Sequence, residues 1–100
     1  MKELNSENFA SETGSSALAL IEFMAPWCGP CKSMEPHLEA IDGKPAAVFK
    51  VDIDKNPDLA LKFGIRGVPS MILMKNGEIA DMKSGAQSAS QLSSWIRQFA

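Results

Sequence analysis

Cys28 and Cys31 are the only cysteines in this 100-residue chain, and nothing but Gly29-Pro30 separates them. They close an apolar run, Leu20-Ile21-Glu22-Phe23-Met24-Ala25-Pro26-Trp27, that reads as a strand feeding a helix through a tight turn. Such a turn sets Cys28 at a helix N-terminus, where free backbone N–H groups and the positive end of the helix dipole stabilise a thiolate. Gly29 allows a close approach, and Pro30 fits the first helical turn because its missing N–H would have no partner there. The expected chemistry is a disulfide that opens and re-forms. Cys28 is the expected nucleophile, attacking a substrate disulfide to give a mixed disulfide. Cys31, about one turn on and expected to be more buried, is the resolving thiol. The competing readings are a permanent disulfide and an inert buried pair. A structural zinc site needs about four protein ligands. One cysteine pair and the single His37 do not supply them within one chain, so no metal is expected; a cluster shared between two chains is the only such arrangement left.

Glu22 is the next residue with chemistry to offer. A carboxyl group in the middle of an apolar strand meets a desolvation penalty that raises its pKa. From there it can take the proton of Cys31, directly or through one water, as that thiol attacks. The opposing readings are a purely structural ion pair and a side chain that escapes at the strand end. His37 follows Pro36 on a helix already supplied with an apolar stripe, and is expected to be a solvated surface residue.

The elements that must hold these groups follow in chain order. Asn5 is a candidate N-cap, with Leu4 and Phe9 placed as a hydrophobic staple and Gly14 as the helix stop. Ala17 to Met24 is apolar on both faces apart from Glu22, as in a central parallel strand. After Cys28, residues Cys31, Met34, Leu38 and Ile41 fall at helical spacing, with Lys32, Glu35, Glu39 and Asp42 outside. Ala46 to Ile53 is a second buried strand, interrupted by Lys50. Asn56-Pro57-Asp58 reads as an N-cap, an N1 proline and an acidic first turn. Ser70 to Met74 is a third strand, and Asn76-Gly77 signals a type I′ hairpin into Glu78 to Lys83. Ser88 and Gln91 form a capping box for a last helix with Leu92, Trp95, Ile96 and Phe99 inward. The order predicts one α/β domain over 1–100, a mixed sheet with helices on both faces.

Three stretches resemble the thioredoxin family. Ala25-Pro26-Trp27-Cys28-Gly29-Pro30-Cys31-Lys32 is similar to its active-site motif at every position. Gly64-Ile65-Arg66-Gly67-Val68-Pro69-Ser70 is similar to its second signature, and Lys75-Asn76-Gly77-Glu78 to its closing hairpin. The resemblance implies a thioredoxin fold; only Met1 to Leu4 remain for the family's first strand, so four strands are expected with that one vestigial or absent. It also implies a cis Val68-Pro69 bond facing the disulfide, with the Val68 backbone offered to an extended substrate segment. Trp27, Gly29, Pro30, Gly67, Gly85 and Ala86 complete the implied rim. The family places a lysine near its buried acid, which makes Glu22 and Lys50 an expected coupled pair tuning the cysteines. Three positions depart from the family: Glu22 stands for Asp, Met24 for Trp and Ser70 for Thr.

The activity the resemblance implies is reduction of protein disulfides. No bound cofactor is implied, NADPH being used only by a partner flavoprotein, thioredoxin reductase. Implied clients are of the peroxiredoxin and ribonucleotide reductase kinds, and a monomer is expected. A net charge of −2 without a basic patch argues against nucleic-acid and anionic-membrane partners. The first residues lack the apolar region of a signal peptide, and no run approaches the ~20 apolar residues of a membrane span. The expected location is the cytoplasm. Two alternatives stand beside the reductant: a specialised carrier, oxidant or isomerase on the same fold, and a redox-independent binding module whose rim docks a partner.

Overall fold

Alternation along two central strands decides the layering, because successive side chains of a strand leave the sheet on opposite faces. In the computed structural model, which describes residues 1–100, these strands are β2 (Leu18–Met24) and β3 (Ala47–Asp52). Leu18, Leu20 and Val48 point to one side, while Ala19, Ile21, Phe23, Phe49 and Val51 point to the other. Both sets are buried, so helices must cover both faces.

The remaining elements supply that cover. β1 (Lys2–Leu4) leads to α1 (Phe9–Gly14), and α2 (Gly29–Ile41) connects β2 to β3. After β3 come α3 (Pro57–Lys62), the hairpin of β4 (Ser70–Lys75) and β5 (Glu78–Ser84), and α4 (Ala89–Arg97). Met34, Leu38 and Ile41 of α2 and Leu92, Trp95 and Ile96 of α4 pack on the Leu20 face, with Met71 and Leu73 of β4. Phe9 of α1 and Leu59 of α3 pack on the Phe23 face, with Ile72 and Met74. Truncating a core residue such as Leu20 or Leu73 to Ala would cost about 2–5 kcal/mol.

The sheet has five strands in the order β1-β3-β2-β4-β5, where four were expected with the first vestigial or absent. β1 is short but fully formed: Lys2, Glu3 and Leu4 run parallel to Phe49, Lys50 and Val51. Three residues carry little pattern of their own, and it is the open edge of β3 that draws them into the ladder. β2 pairs parallel with β3 and antiparallel with β4, which in turn pairs antiparallel with β5.

Local signals behave as their chemistry requires. Asn76 and Gly77 both have positive φ, 52° and 81°, as a type I′ turn demands. Ser88 and Gln91 form both halves of the capping box at the start of α4. The Asn5 side chain accepts from the N–H groups of Glu7 and Asn8, capping a turn that precedes α1 rather than the regular helix itself. Leu4 and Phe9 share the core beneath that turn. Asn56 departs from expectation: its side chain makes no capping bond to α3. It reaches instead to the Asp52 carbonyl and to Ser6, tying the β1–α1 connection to the turn after β3. Lys44-Pro45 is cis, which its residues did not signal, and Val68-Pro69 is cis as the family motif implied.

Candidate active site

Cys28 sits at the end of the segment that leaves β2, as the N-cap of α2, with extended backbone geometry and a side chain that accepts from the Cys31 N–H over 3.1 Å. Pro30 lies in the first turn, where no N–H is missed. Cys28 and Cys31 are joined in a disulfide with their Cα atoms 5.3 Å apart. The expected difference in burial is not there: the residues are 4% and 3% exposed. In the disulfide the Cys28 sulfur folds back over the first turn of α2. What separates the two is position, Cys28 outside the helix and Cys31 within it. A Cβ added at Gly29 would meet no atom within 4 Å, so the tight approach expected of Gly29 is not made within the chain.

Trp27 is 67% exposed, and its indole N–H donates to Asp54 at 3.0 Å. Val68 packs against the small cluster of Ala25, Cys28 and Cys31. Gly67, Val68, Pro69 and Gly85 share one open groove of about 370 Å³ that extends to Arg66 and Met82. The Gly85 N–H donates to the Pro69 carbonyl at 2.9 Å, which locks the two loops together. Ala86 lies apart from that groove, in a neighbouring cleft with Ser33, His37 and Ser88. Ser70 hydroxyl donates to the Gly67 carbonyl, so the hydroxyl function of this position is kept.

On the face of β2 that α2 covers, Glu22 is 2% exposed, and its Oε2 has no hydrogen-bond partner. Burial pushes its pKa up to about 7, aided by the negative charge of Glu35 and opposed by Lys50. The expected Glu22–Lys50 pair is not a direct contact. Lys50 stands beside Glu22 in the ladder, yet its ammonium binds Glu35 at 3.2 Å. The reason is solvent: an ion pair at the half-exposed edge of α2 keeps both charges hydrated, whereas a pair at Glu22 requires burying an ammonium.

Glu35, Asp54 and the role of His37 escaped the sequence reading. Glu35 follows Cys31 by four residues, hence stands on the same side of α2, and that spacing was the available signal. Asp54 offered none, since it meets Trp27 only through the packing of two turns. His37 is exposed as expected, but its Nδ1 accepts from the Ala89 N–H at 3.0 Å, so it caps the first turn of α4 from α2.

A family model described as Thioredoxin matches residues 1–98. This chain belongs to the thioredoxin family. A thioredoxin of Rickettsia felis is 42% identical over 94 residues, covering 89% of either chain. One from Bacillus subtilis is 38% identical over 82 residues, covering 79% of this chain and 78% of its own. Among solved structures, a mutant thioredoxin from Halobacterium salinarum superposes with a TM-score of 0.92 at 33% identity, covering 99% of this chain and 88% of that one. Thiol–disulfide oxidoreductase activity goes with this thioredoxin membership and the paired cysteines at the α2 N-terminus, and redox partners are implied with it. No helix is long and apolar enough to cross a membrane.

Proposed function

We propose that the chain reduces protein disulfides as a dithiol carrier. The observation that carries this reading is the placement of Cys28 as N-cap of α2, bridged to Cys31, with Val68 of the cis Val68-Pro69 bond packed against the pair. In the reduced form, free N–H groups at the start of α2 stabilise the Cys28 thiolate. That thiolate attacks one sulfur of a client disulfide; a Cys28–client bond forms, the client S–S bond breaks, and the released client sulfur takes a proton. Cys31 gives its proton to the Glu22 carboxylate and attacks the Cys28 sulfur. The Cys28–client bond breaks, the second client thiolate leaves and is protonated, and Cys28–Cys31 closes. Two electrons pass from the dithiol to the client.

A carboxyl group near pH 7 in its titration suits the proton transfer, being able both to accept and to return a proton. Trp27, Gly29, Pro30, Gly67, Val68, Pro69, Gly85 and Ala86 form the docking rim, with the Val68 backbone pairing to an extended client segment. Lys50 acts on this machinery through Glu35 and Glu22. The chain works as one monomeric domain without a resident cofactor or metal, because the two sulfurs hold both electrons. The return of electrons belongs to an NADPH-dependent thioredoxin reductase, and clients include disulfide proteins of the peroxiredoxin and ribonucleotide reductase kinds. The site of action is the cytoplasm.

The reduction potential of the Cys28–Cys31 couple, set by equilibration in a glutathione redox buffer, tests the reading. A value at or below the cytosolic glutathione poise, about −220 to −260 mV, supports a general reductant. A markedly more oxidising value would reassign the chain as an oxidant, an isomerase or a dedicated carrier.

A further inference from the structure

Glu22, Lys50 and Glu35 come from three elements and meet in the layer between the sheet and α2. Glu22 and Lys50 are paired positions of neighbouring parallel strands, so their side chains leave the sheet on one face. A lysine stem reaches either way from there. Its ammonium lies 3.2 Å from Glu35 Oε1, and Glu22 Oε2 is left buried and unpartnered. A buried carboxyl oxygen without a hydrogen bond, beside a lysine that points elsewhere, calls for a cause. Glu35, one helical turn beyond Cys31, is the residue that holds that lysine in an ion pair.

We propose that Glu35 is a positioning residue, holding the Lys50 ammonium at the outer edge of the layer, away from Glu22, and thereby setting the protonation state of that acid. Through it Glu35 governs how readily Glu22 takes the Cys31 proton, a consequence that rests on the exchange mechanism above. The other groups that face Glu22 leave no substitute for Lys50. From β3, Asp52 is buried with Oδ1 engaged by the Asp54 and Lys55 N–H groups. From β4, the paired residue is Met71, without charge. From α2, Cys28 and Cys31 are bridged in the oxidised protein. Two routes connect Glu35 to Glu22: diversion of the lysine, and direct repulsion between carboxylates. The proposal is the first.

The test is the titration of the Glu22 carboxyl carbon by NMR in the oxidised full chain, assigned with Glu22→Gln. This readout needs neither client nor exchange activity. It is recorded for the parent, Glu35→Gln, Lys50→Met and the double variant. Glu35→Gln frees the ammonium, and an opposite charge drawn toward Glu22 lowers its midpoint by about one pH unit. In the Lys50→Met background the same change moves the midpoint far less. An unmoved midpoint in Glu35→Gln overturns the proposal, and so does an equal movement with and without Lys50, which would leave only direct repulsion. In the reduced protein, the pH profile of client release from the mixed disulfide shifts downward with the NMR midpoint. A shifted midpoint with an unshifted profile overturns Glu22 as proton acceptor, not the placement of Lys50 by Glu35.

Discussion

The indole N–H of Trp27 donates to a carboxylate oxygen of Asp54 at 3.0 Å, joining the residue before the nucleophile to the turn after β3. A side chain 67% exposed would otherwise sample several rotamers. The bond fixes an aromatic plane at the rim before a client arrives, and so lowers the ordering cost of docking. Asp54→Ala should raise KM for a protein disulfide about fivefold, taking ~1 kcal/mol for the bond, with kcat little changed. Asp54→Asn keeps an acceptor oxygen and should restore most of the loss. Identical KM values for all three forms would show that the bond does not order the rim.

Glu22 makes stability depend on pH with a definite sign. Its folded pKa, about 7, lies above the unfolded value of 4.5. Its contribution is therefore complete below pH 4.5 and is lost as pH rises through about 7, where the folded chain must ionise a buried carboxyl. At about 1.4 kcal/mol per pH unit, the gap amounts to about 3 kcal/mol. Glu22→Gln should thus be stabilising by an amount of that order at pH 8 and nearly neutral at pH 4, measured by urea unfolding at both values. A gain that is equal at the two pH values would mean that burial does not hold the proton on Glu22.

The two cysteines should fail differently when replaced. Cys28→Ser removes the attacking sulfur and abolishes exchange with a client. Cys31→Ser leaves the attack intact but blocks resolution, so a mixed disulfide through Cys28 accumulates and is seen by mass spectrometry. Accumulation through Cys31 in the Cys28→Ser protein would reverse the assigned roles.

Asn56 carries a structural load unrelated to helix capping. Its side chain donates to the Asp52 carbonyl at 3.1 Å and accepts from the Ser6 N–H at 3.2 Å, in a site only 6% exposed. Asn56→Ala should cost about 1 kcal/mol: the side-chain bonds that tie Ser6 to the turn after β3 are lost, while the Asp52 carbonyl keeps the Asn56 N–H and Ser6 is open to water. Asn56→Asp should not rescue it, because a carboxylate cannot donate to the Asp52 carbonyl. Thermal unfolding of the three forms decides; a loss below a few tenths of a kcal/mol for Ala would argue against this role.

Where an interaction closes within a few residues, the chain by itself determined it. Gly29-Pro30 between the cysteines brings Cys28 and Cys31 into bridging distance, Asn76-Gly77 turns the hairpin, and Ser88 with Gln91 caps α4, all through spacings of three residues or fewer. Near-continuous apolar runs likewise settled that β2 and β3 are covered on both faces. Only the tertiary structure decided which partner each polar side chain takes when several compete. Lys50 chose Glu35 over Glu22, Asn56 chose Asp52 and Ser6 over its own helix, and Trp27 found Asp54 across two turns. β1 exists because β3 presents an open edge to it. These outcomes turn on how deeply each group is buried and what stands across from it, and desolvation is a property of the packed layers rather than of neighbours along the chain.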